Sequence, residues 1–337
     1  MGRHRSERVT LADVAKRAGV SIATASKALN DKAEVAEDTR YRVRVAATEL
    51  SFRAIRPAGG RTAVRTVGLL TDELGGGLSM ALLLGVEKAL CERAASVVLC
   101  DARGDAVRRR HYIHSLPTQV DGLIVLGDGN AVRPSVTRDV LVPVVYAYGE
   151  SGDPADLSVL ADDAGGARLA AEHLVSLGCR RIGHITGPWA HRAARDRAGA
   201  LHLALAEAGL RIAGGEPLYG EWSRRWGRHA TRTLLADEPD VDAVFCGNDQ
   251  IADGACEALA DLGRDVPGDV AVVGYDNWEA LAADCRPPLT TVDLDLESLG
   301  AVAVEYLLAA LAGQRTSGVV RHPARLVLRE SSARAVH

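Results

Sequence analysis

TLADVAKRAGVSIATASKALN, residues 10–30, reads as two short amphipathic helices separated by one glycine. Thr10 can cap the first, with Asp13 at its third position favouring the positive end of the helix dipole, and Leu11, Val14, Ala15 and Ala18 fall on one face. Gly19 supplies the turn and Ser21 a second N-cap. The helix Ser21 opens turns Val20, Ala25, Ala28 and Leu29 inward and leaves Ile22, Ala23, Ser26 and Lys27 outward. Small, hydroxyl and basic side chains at the N-terminal end of a helix suit a DNA major groove, where hydroxyls and N–H groups meet phosphates and two or three side chains reach base edges. The alternative is an ordinary helical hairpin packed in a core. Charge favours the groove: residues 1–65 hold 14 Lys/Arg against 7 Asp/Glu, while the other 272 hold 26 against 37, so only the front end suits a polyanion. Its basic residues extend beyond the two helices, at Arg3, Arg5, Arg8, Arg40, Arg42, Arg44, Arg53, Arg56, Arg61 and Arg65, as an arm and third helix that track phosphates require. That third helix is expected to start after Val35, with Glu37 and Asp38 in its first turn, and to run through Tyr41, Val45 and Leu50 to Phe52, its apolar positions closing a small core.

From Thr66 the pattern changes to short apolar runs alternating with helical stretches, the mark of an α/β fold with parallel sheets buried on both faces. VGLLT (67–71), SVVLC (96–100), DGLIVL (121–126) and PVVYA (143–147) form one series of strands, with crossover helices expected at 78–94, 105–115 and 131–139. RIGHIT (181–186), EPLY (216–219), VDAVFC (241–246) and VAVVGYD (270–276) form a second, with helices at about 192–209, 223–236 and 249–262. Two similar doubly wound halves result. Ligands in such sheets bind beyond the C-terminal strand ends. Those ends offer Asp72, Asn248, Asp249 and Asp276, with His191, Arg195 and Arg197 in GPWAHRAARDRAGA and Trp222 in GEWSRRWG. Carboxylates and amides pair with adjacent hydroxyls, an arginine fork spans two oxygens, and an indole gives a sugar ring an apolar face, so a carbohydrate is expected. Each residue also has a plainer role. Asn248 and Asp249 can cap the following helix, Asp276 can hold the loop containing Asn277, and Arg195 and Arg197, two positions apart, cannot share a helix face. Arg197 is preferred for the site, and Asp162-Asp163 are set outside it as an interlobe cap.

VTLADVAKRAGVSIATASKALN followed by VAEDTRYRVRVAATELSF resembles the DNA-binding headpiece of the lactose-repressor (LacI/GalR) family of bacterial transcription regulators, and the similarity continues along nearly the whole chain. The resemblance implies an all-α helix-turn-helix headpiece at 1–53, a hinge at 54–65, and a two-lobed domain at 66–337 built like a periplasmic sugar-binding protein. The N-lobe would take about 66–160 and 293–318, and the C-lobe about 161–292 and 319–330. By matching positions, Ile22, Ala23 and Lys27 are the base readers, and Thr10, Ser21, Thr24, Ser26, Asn30 and Thr39 anchor phosphates or caps. Arg197, Asn248, Asp249 and Asp276 match effector contacts, and Trp222 an aromatic wall; Asp72 and His191 complete the expected set. Ile22 and Ala23 offer apolar contact that favours thymine methyls, and Lys27 favours a guanine O6/N7 edge. The chain departs from the family at RAIRPAGGRTAVRT, where a minor-groove leucine is usual: Pro57, Gly59 and Gly60 disfavour a helix, Ile55 is the nearest candidate wedge, and a flexible linker with no wedge is the alternative.

These readings lead to a repressor of a carbohydrate-utilisation operon, binding a palindromic operator as a homodimer under the control of a small effector, in the cytoplasm on the nucleoid. A cytoplasmic sugar sensor without operator control is the alternative. An enzyme is disfavoured: no dinucleotide-binding glycine motif, phosphate loop or nucleophile elbow is present, and His111 and His114 lack a third ligand to complete a zinc site. No cofactor or metal is expected. MGRHRSERVT lacks an apolar signal core, and AVAVEYLLAALAG, broken by Glu305, is too short to span a bilayer. Cysteines 91, 100, 179, 246, 256 and 285 show no metal-like spacing and imply no disulfide.

Overall fold

A computed structural model describes residues 10–29, 35–50, 64, 66–74 and 77–333. The N-terminal unit is three helices, α1 (Leu11–Ala18), α2 (Ile22–Leu29) and α3 (Glu37–Glu49). Thr10 and Asp13 close a reciprocal capping box, the Thr10 N–H and Oγ1 donating to Asp13 Oδ2 at 2.8 and 2.6 Å. Gly19 sits at φ +67°, a left-handed cap that sends its N–H back to the Ala15 and Lys16 carbonyls. Ser21 caps α2 by accepting the Thr24 N–H at 3.0 Å. Val14, Ala15, Ala18, Ala25 and Ala28 are buried as the periodicity requires, with Leu11, Val20 and Leu29 packed at the edge. In α3 the expected core positions are corrected. Tyr41 is 69% exposed and Val45 38%, while Val43, Ala46 and Ala47 face the core. The two larger side chains lie on the opposite face, and a close three-helix contact is made by the alanines.

Two sheets follow, parallel throughout except for one edge strand of the second. The first contains β1 (Thr66–Thr71), β2 (Ser96–Asp101), β3 (Gly122–Leu126), β5 (Val144–Ala147), β7 (Leu157–Ala161) and β13 (Gly318–His322) in the order β13-β7-β5-β3-β1-β2. A two-stranded ribbon, β4 (Val132–Arg133) with β6 (Glu150–Ser151), accompanies it. Its helices are α4 (Gly77–Cys91), α5 (Ala106–Ser115) and α11 (Leu296–Leu311). The second sheet contains β8 (Ile182–Thr186), β9 (Leu218–Tyr219), β10 (Ala243–Cys246), β11 (Ala271–Tyr275), β12 (Thr290–Asp293) and the antiparallel β14 (Arg325–Val327), in the order β14-β12-β11-β10-β8-β9. Helices α6 (Asp163–Ser176), α7 (Arg192–Glu207), α8 (Arg224–Asp237), α9 (Asp249–Asp261) and the short α10 (Glu279–Ala282) belong to it.

Strand order reverses at β1 and β3 in the first sheet and at β8 and β10 in the second, which makes those four strand ends the natural ligand crevices. The chain crosses between lobes after β7, after β12 and between β13 and β14. The third crossing corrects the expected boundary at 318/319: residues 319–322 pair in parallel with Ser158–Ala161 and stay in the first lobe. Two further expectations change. Residues 131–139 form β4 and a turn instead of a helix, with Pro134 following the ribbon, and LSVLA at 157–161, absent from the expected strands, is fully buried as β7. Its polar member, Ser158, accepts the Ser151 N–H at 2.9 Å. All six cysteines are free, and among the described residues no helix is long and apolar enough to cross a membrane.

Candidate functional site

The outward face of α2 carries Ile22, 54% exposed, with Ala23 and Lys27 also exposed. Thr24 and Ser26 are half-buried beside them, and Ser21 and Thr24 share a 2.8 Å hydroxyl contact at the helix start. Thr10 is exposed at the head of α1, and Thr39 is half-buried in the first turn of α3. The opposite face of α2 is taken up by the headpiece core, so this face is what remains for a partner. Asn30, Ile55 and the basic arm lie outside the described residues, as does nearly all of the hinge.

In the second lobe the strand ends converge on Arg197, which is 3% exposed. Its Nε donates to Asp163 Oδ1 at 2.8 Å, its Nη2 lies 2.8 Å from the same oxygen, and its Nη1 donates to the Gly247 carbonyl at 2.5 Å. The guanidinium carbon rides 3.7 Å above the Tyr275 ring. Asp276 follows β11 at φ +96°, a left-handed backbone costly for a residue with a Cβ. Its Oδ1 lies 3.5 Å from Arg197 Nη2 yet accepts no hydrogen bond among the described residues. Burial lifts its carboxyl to about 6 against the pull of Arg197. A strained carboxylate with an idle oxygen beside a fixed cation is an arrangement suited to receiving a hydroxyl.

Trp222 lies flat on Gly187, where a Cβ would come within 2.1 Å of the indole, so only glycine lets the ring settle there. The indole N–H donates to His191 Nδ1 at 2.9 Å, making that nitrogen the acceptor, and Arg197 is 5.7 Å from the ring centre. Asn248 caps α9, its Oδ1 accepting the Ile251 N–H at 2.9 Å, and its amide nitrogen has no partner among the described residues.

Six of the seven expected effector residues thus form one connected group: His191, Trp222, Arg197, Asp276 and, through Gly247 and the 276–278 loop, Asn248 and Asp249. Asp249 nevertheless requires correction. It is 1% exposed and both oxygens are occupied, Oδ1 by the Thr291 hydroxyl at 2.6 Å and Oδ2 by the Trp278 N–H at 2.8 Å, so it fixes the loop and does not face the cleft. Asn277 is held by Asp293 and Arg329, which leaves Asp276 no part in fixing it. Asp72 stands apart, in a first-lobe cluster where Arg109 and Arg133 reach its Oδ2 at 2.5 and 3.0 Å and Arg133 also reaches Asp128 at 3.1 Å. Arg195 is structural, its Nη1 bonded to the Trp189 and Ala190 carbonyls.

Sequence reasoning missed the groups that join the lobes. Asp162 caps α6 as expected, but Asp163, set aside with it, carries Arg197 and accepts from the first-lobe Asn130 amide at 2.8 Å. Tyr148 is buried, and that burial, with the charges of Asp163 and Asp276, pushes its phenol well above the usual range against the pull of Arg197. Glu150 pairs across the lobes with Arg192. The Asn130–Asp163, Arg197–Asp163 and Glu150–Arg192 contacts have no local signature, since each joins positions at least 33 residues apart.

A helix-turn-helix unit on a two-lobed α/β domain with a polar, aromatic-walled crevice defines a ligand-responsive DNA-binding regulator. The family described as bacterial regulatory proteins, lacI family, matches residues 10–54, and the periplasmic binding protein-like domain matches residues 171–332. The ribose operon repressor of Escherichia coli K12 is 34% identical over 309 residues, covering 89% of this chain and 92% of its own. The HTH-type transcriptional regulator CelR of Thermobifida fusca is 34% identical over 336 residues, covering 96% of each. A solved lac repressor dimer bound to operator and the anti-inducer ONPF aligns with a TM-score of 0.68 at 30% identity, over 97% of this chain and 99% of that one. The chain belongs to the LacI family of bacterial regulatory proteins, and is a transcription regulator rather than an enzyme.

Proposed function

We propose that this protein represses a carbohydrate-utilisation operon, binding an inverted-repeat operator as a homodimer whose affinity for DNA is set by a small neutral sugar in the interlobe cleft. The relatives named as a ribose operon repressor and as CelR, together with the lac repressor dimer on its operator, support the reading. The observation that carries it is the α2 face: Ile22, Ala23 and Lys27 project from a helix whose other side is committed to the headpiece core. Ile22 and Ala23 seek thymine methyls and Lys27 a guanine edge, while Thr10, Ser21, Thr24, Ser26 and Thr39 position the unit on phosphates. One headpiece makes few base contacts, so specificity comes from two related by a twofold axis. Met80 and Leu84, exposed on α4, supply apolar surface for that pairing.

The charge balance of the cleft favours an uncharged ligand. Arg197 is matched by Asp163 and Asp276, Arg192 by Glu150 and Asp196, and in the first-lobe cluster Arg109 and Arg133 by Asp72 and Asp128, so that none of these cations among the described residues is in surplus for a phosphoryl group. Asp276, Arg197 and the Asn248 amide take ring hydroxyls, Trp222 covers an apolar sugar face, and His191 fixes the indole. Ligand contact with both lobes biases the closed arrangement and changes hinge spacing by its differential affinity for the two states. The protein works in the cytoplasm, on the nucleoid. Calorimetric titration with mono- and disaccharides tests the cleft: Asp276→Ala abolishes sugar binding and leaves operator affinity unchanged, and a variant that still titrates normally refutes the assignment.

A further inference from the structure

Helix α5 reads AVRRRHYIHS, with five basic side chains, no acidic one, and no residue buried. Neither the DNA-reading face nor the interlobe cleft uses this surface, which is at odds with the acid excess of the two lobes. Against it lies a shallow depression open to solvent, of about 300 Å³, lined by Ala106, Arg109, Arg110, Ile113, His114 and Asp139. Arg110 and His114 stand one helical turn apart, both exposed, and neither has a hydrogen-bond or ion-pair partner among the described residues. Arg109 lines the same cavity while its Nη1 reaches Asp72 at the end of β1, at 2.5 Å.

We propose that this cavity is a second ligand site, distinct from the interlobe cleft, for a small hydroxylated phosphate monoester. The Arg110 fork and the His114 ring donate to phosphoryl oxygens, with Arg109 adding positive charge beside them. Asp139 on the rim repels a bare anion but accepts hydrogen bonds from hydroxyls, so an ester carrying a hydroxylated carbon chain is preferred over inorganic phosphate. An anion in the cavity shares Arg109 with Asp72, so occupancy is felt at the end of β1. The site is independent of the sugar reading of the cleft, whose paired charges disfavour the same ligand.

Calorimetric titration of the full-length protein with glycerol 3-phosphate, inorganic phosphate and glycerol tests the proposal. Glycerol 3-phosphate saturates one site per chain, inorganic phosphate binds more weakly, and glycerol gives no saturable heat. Arg110→Gln and His114→Ala each weaken glycerol 3-phosphate binding about tenfold, the loss expected for one charge-assisted hydrogen bond. Both side chains are exposed, so the variants fold, which thermal unfolding checks, and operator affinity is unchanged. Asp276→Ala retains the ester site. The proposal is overturned by no saturable binding, by binding indifferent to Arg110→Gln, by binding lost in Asp276→Ala, or by Arg110→Gln weakening operator affinity and not ester affinity.

Discussion

Arg197→Met removes the cation on which the second lobe's strand ends converge while keeping most of the stem volume. Asp163, 1% exposed, loses both guanidinium contacts at 2.8 Å and keeps the Asn130 amide, and the Gly247 carbonyl loses its 2.5 Å donor. Breaking a buried ion pair from one side costs about 3–5 kcal/mol, and an orphaned carbonyl adds about 1–3 kcal/mol where water cannot reach it. A loss of about 4 kcal/mol or more is expected, a large fraction of the roughly 5–15 kcal/mol typical of a domain. The four tryptophans, Trp189, Trp222, Trp226 and Trp278, all lie in the second lobe, so their fluorescence during urea unfolding reports on the part perturbed. A cycle with Asp163→Asn separates the pair from general damage: the double variant recovers part of the loss, with a coupling of about 2 kcal/mol or more. A loss under about 1 kcal/mol, or strict additivity, refutes the claim that this pair organises the crevice.

Burial first, and the Asp276 carboxylate second, lift Asp249 from the usual 3.8 to about 7. The folded protein therefore holds that proton more tightly than the unfolded chain, and the resulting stability, full below about pH 4, is lost as pH rises through 7. Asp249→Asn removes this slope, so in urea unfolding at stepped pH the variant trails wild type most near about pH 4 and least above about pH 7.5; a deficit growing toward alkaline pH contradicts the reading. Gly187→Ala places a methyl where the Trp222 ring lies, so the ring is displaced and sugar affinity falls about tenfold or more with operator affinity intact; an unchanged sugar titration counts against the aromatic wall. Lys27→Ala reduces discrimination at one base pair of each half-site by about 1–3 kcal/mol, and an unaltered preference in a binding-site selection contradicts its role as a base reader.

How far the sequence was legible depended on whether a contact is local. The Thr10 cap, the Gly19 turn and the Ser21 cap are all set within four residues and each is present, while Asp13, expected only to meet the helix dipole, also closes a capping box with Thr10. In α3 Tyr41 and Val45 have the greater hydropathy or bulk, but the core selects small side chains at Ala46 and Ala47, a choice made by the neighbouring helices. Apolar strands announced the two sheets, yet β7 was hidden by Ser158, whose hydroxyl finds its partner in Ser151. The end of β13 was assigned to the wrong lobe because GVVRH alternates between half-buried and exposed positions, as an edge strand does, and carries no sign of which sheet it joins. In the crevice, residue types at strand ends identified Arg197, Trp222 and Asp276. Only the fold distinguishes Asp249, whose oxygens are consumed by Thr291 and Trp278, from Asp276, whose Oδ1 remains idle.

Operator binding measured against salt, with and without sugar, tests the account most directly. On an inverted repeat selected from random sequence, log K should fall linearly with log salt, with a slope of about −0.9 for each phosphate neutralised. A saccharide should shift the curve in wild type and leave it unmoved in Asp276→Ala. Failure of the purified protein to retain any inverted repeat in a salt-sensitive way, with or without saccharides, would contradict the claim that residues 10–50 read DNA for a ligand-sensing cleft.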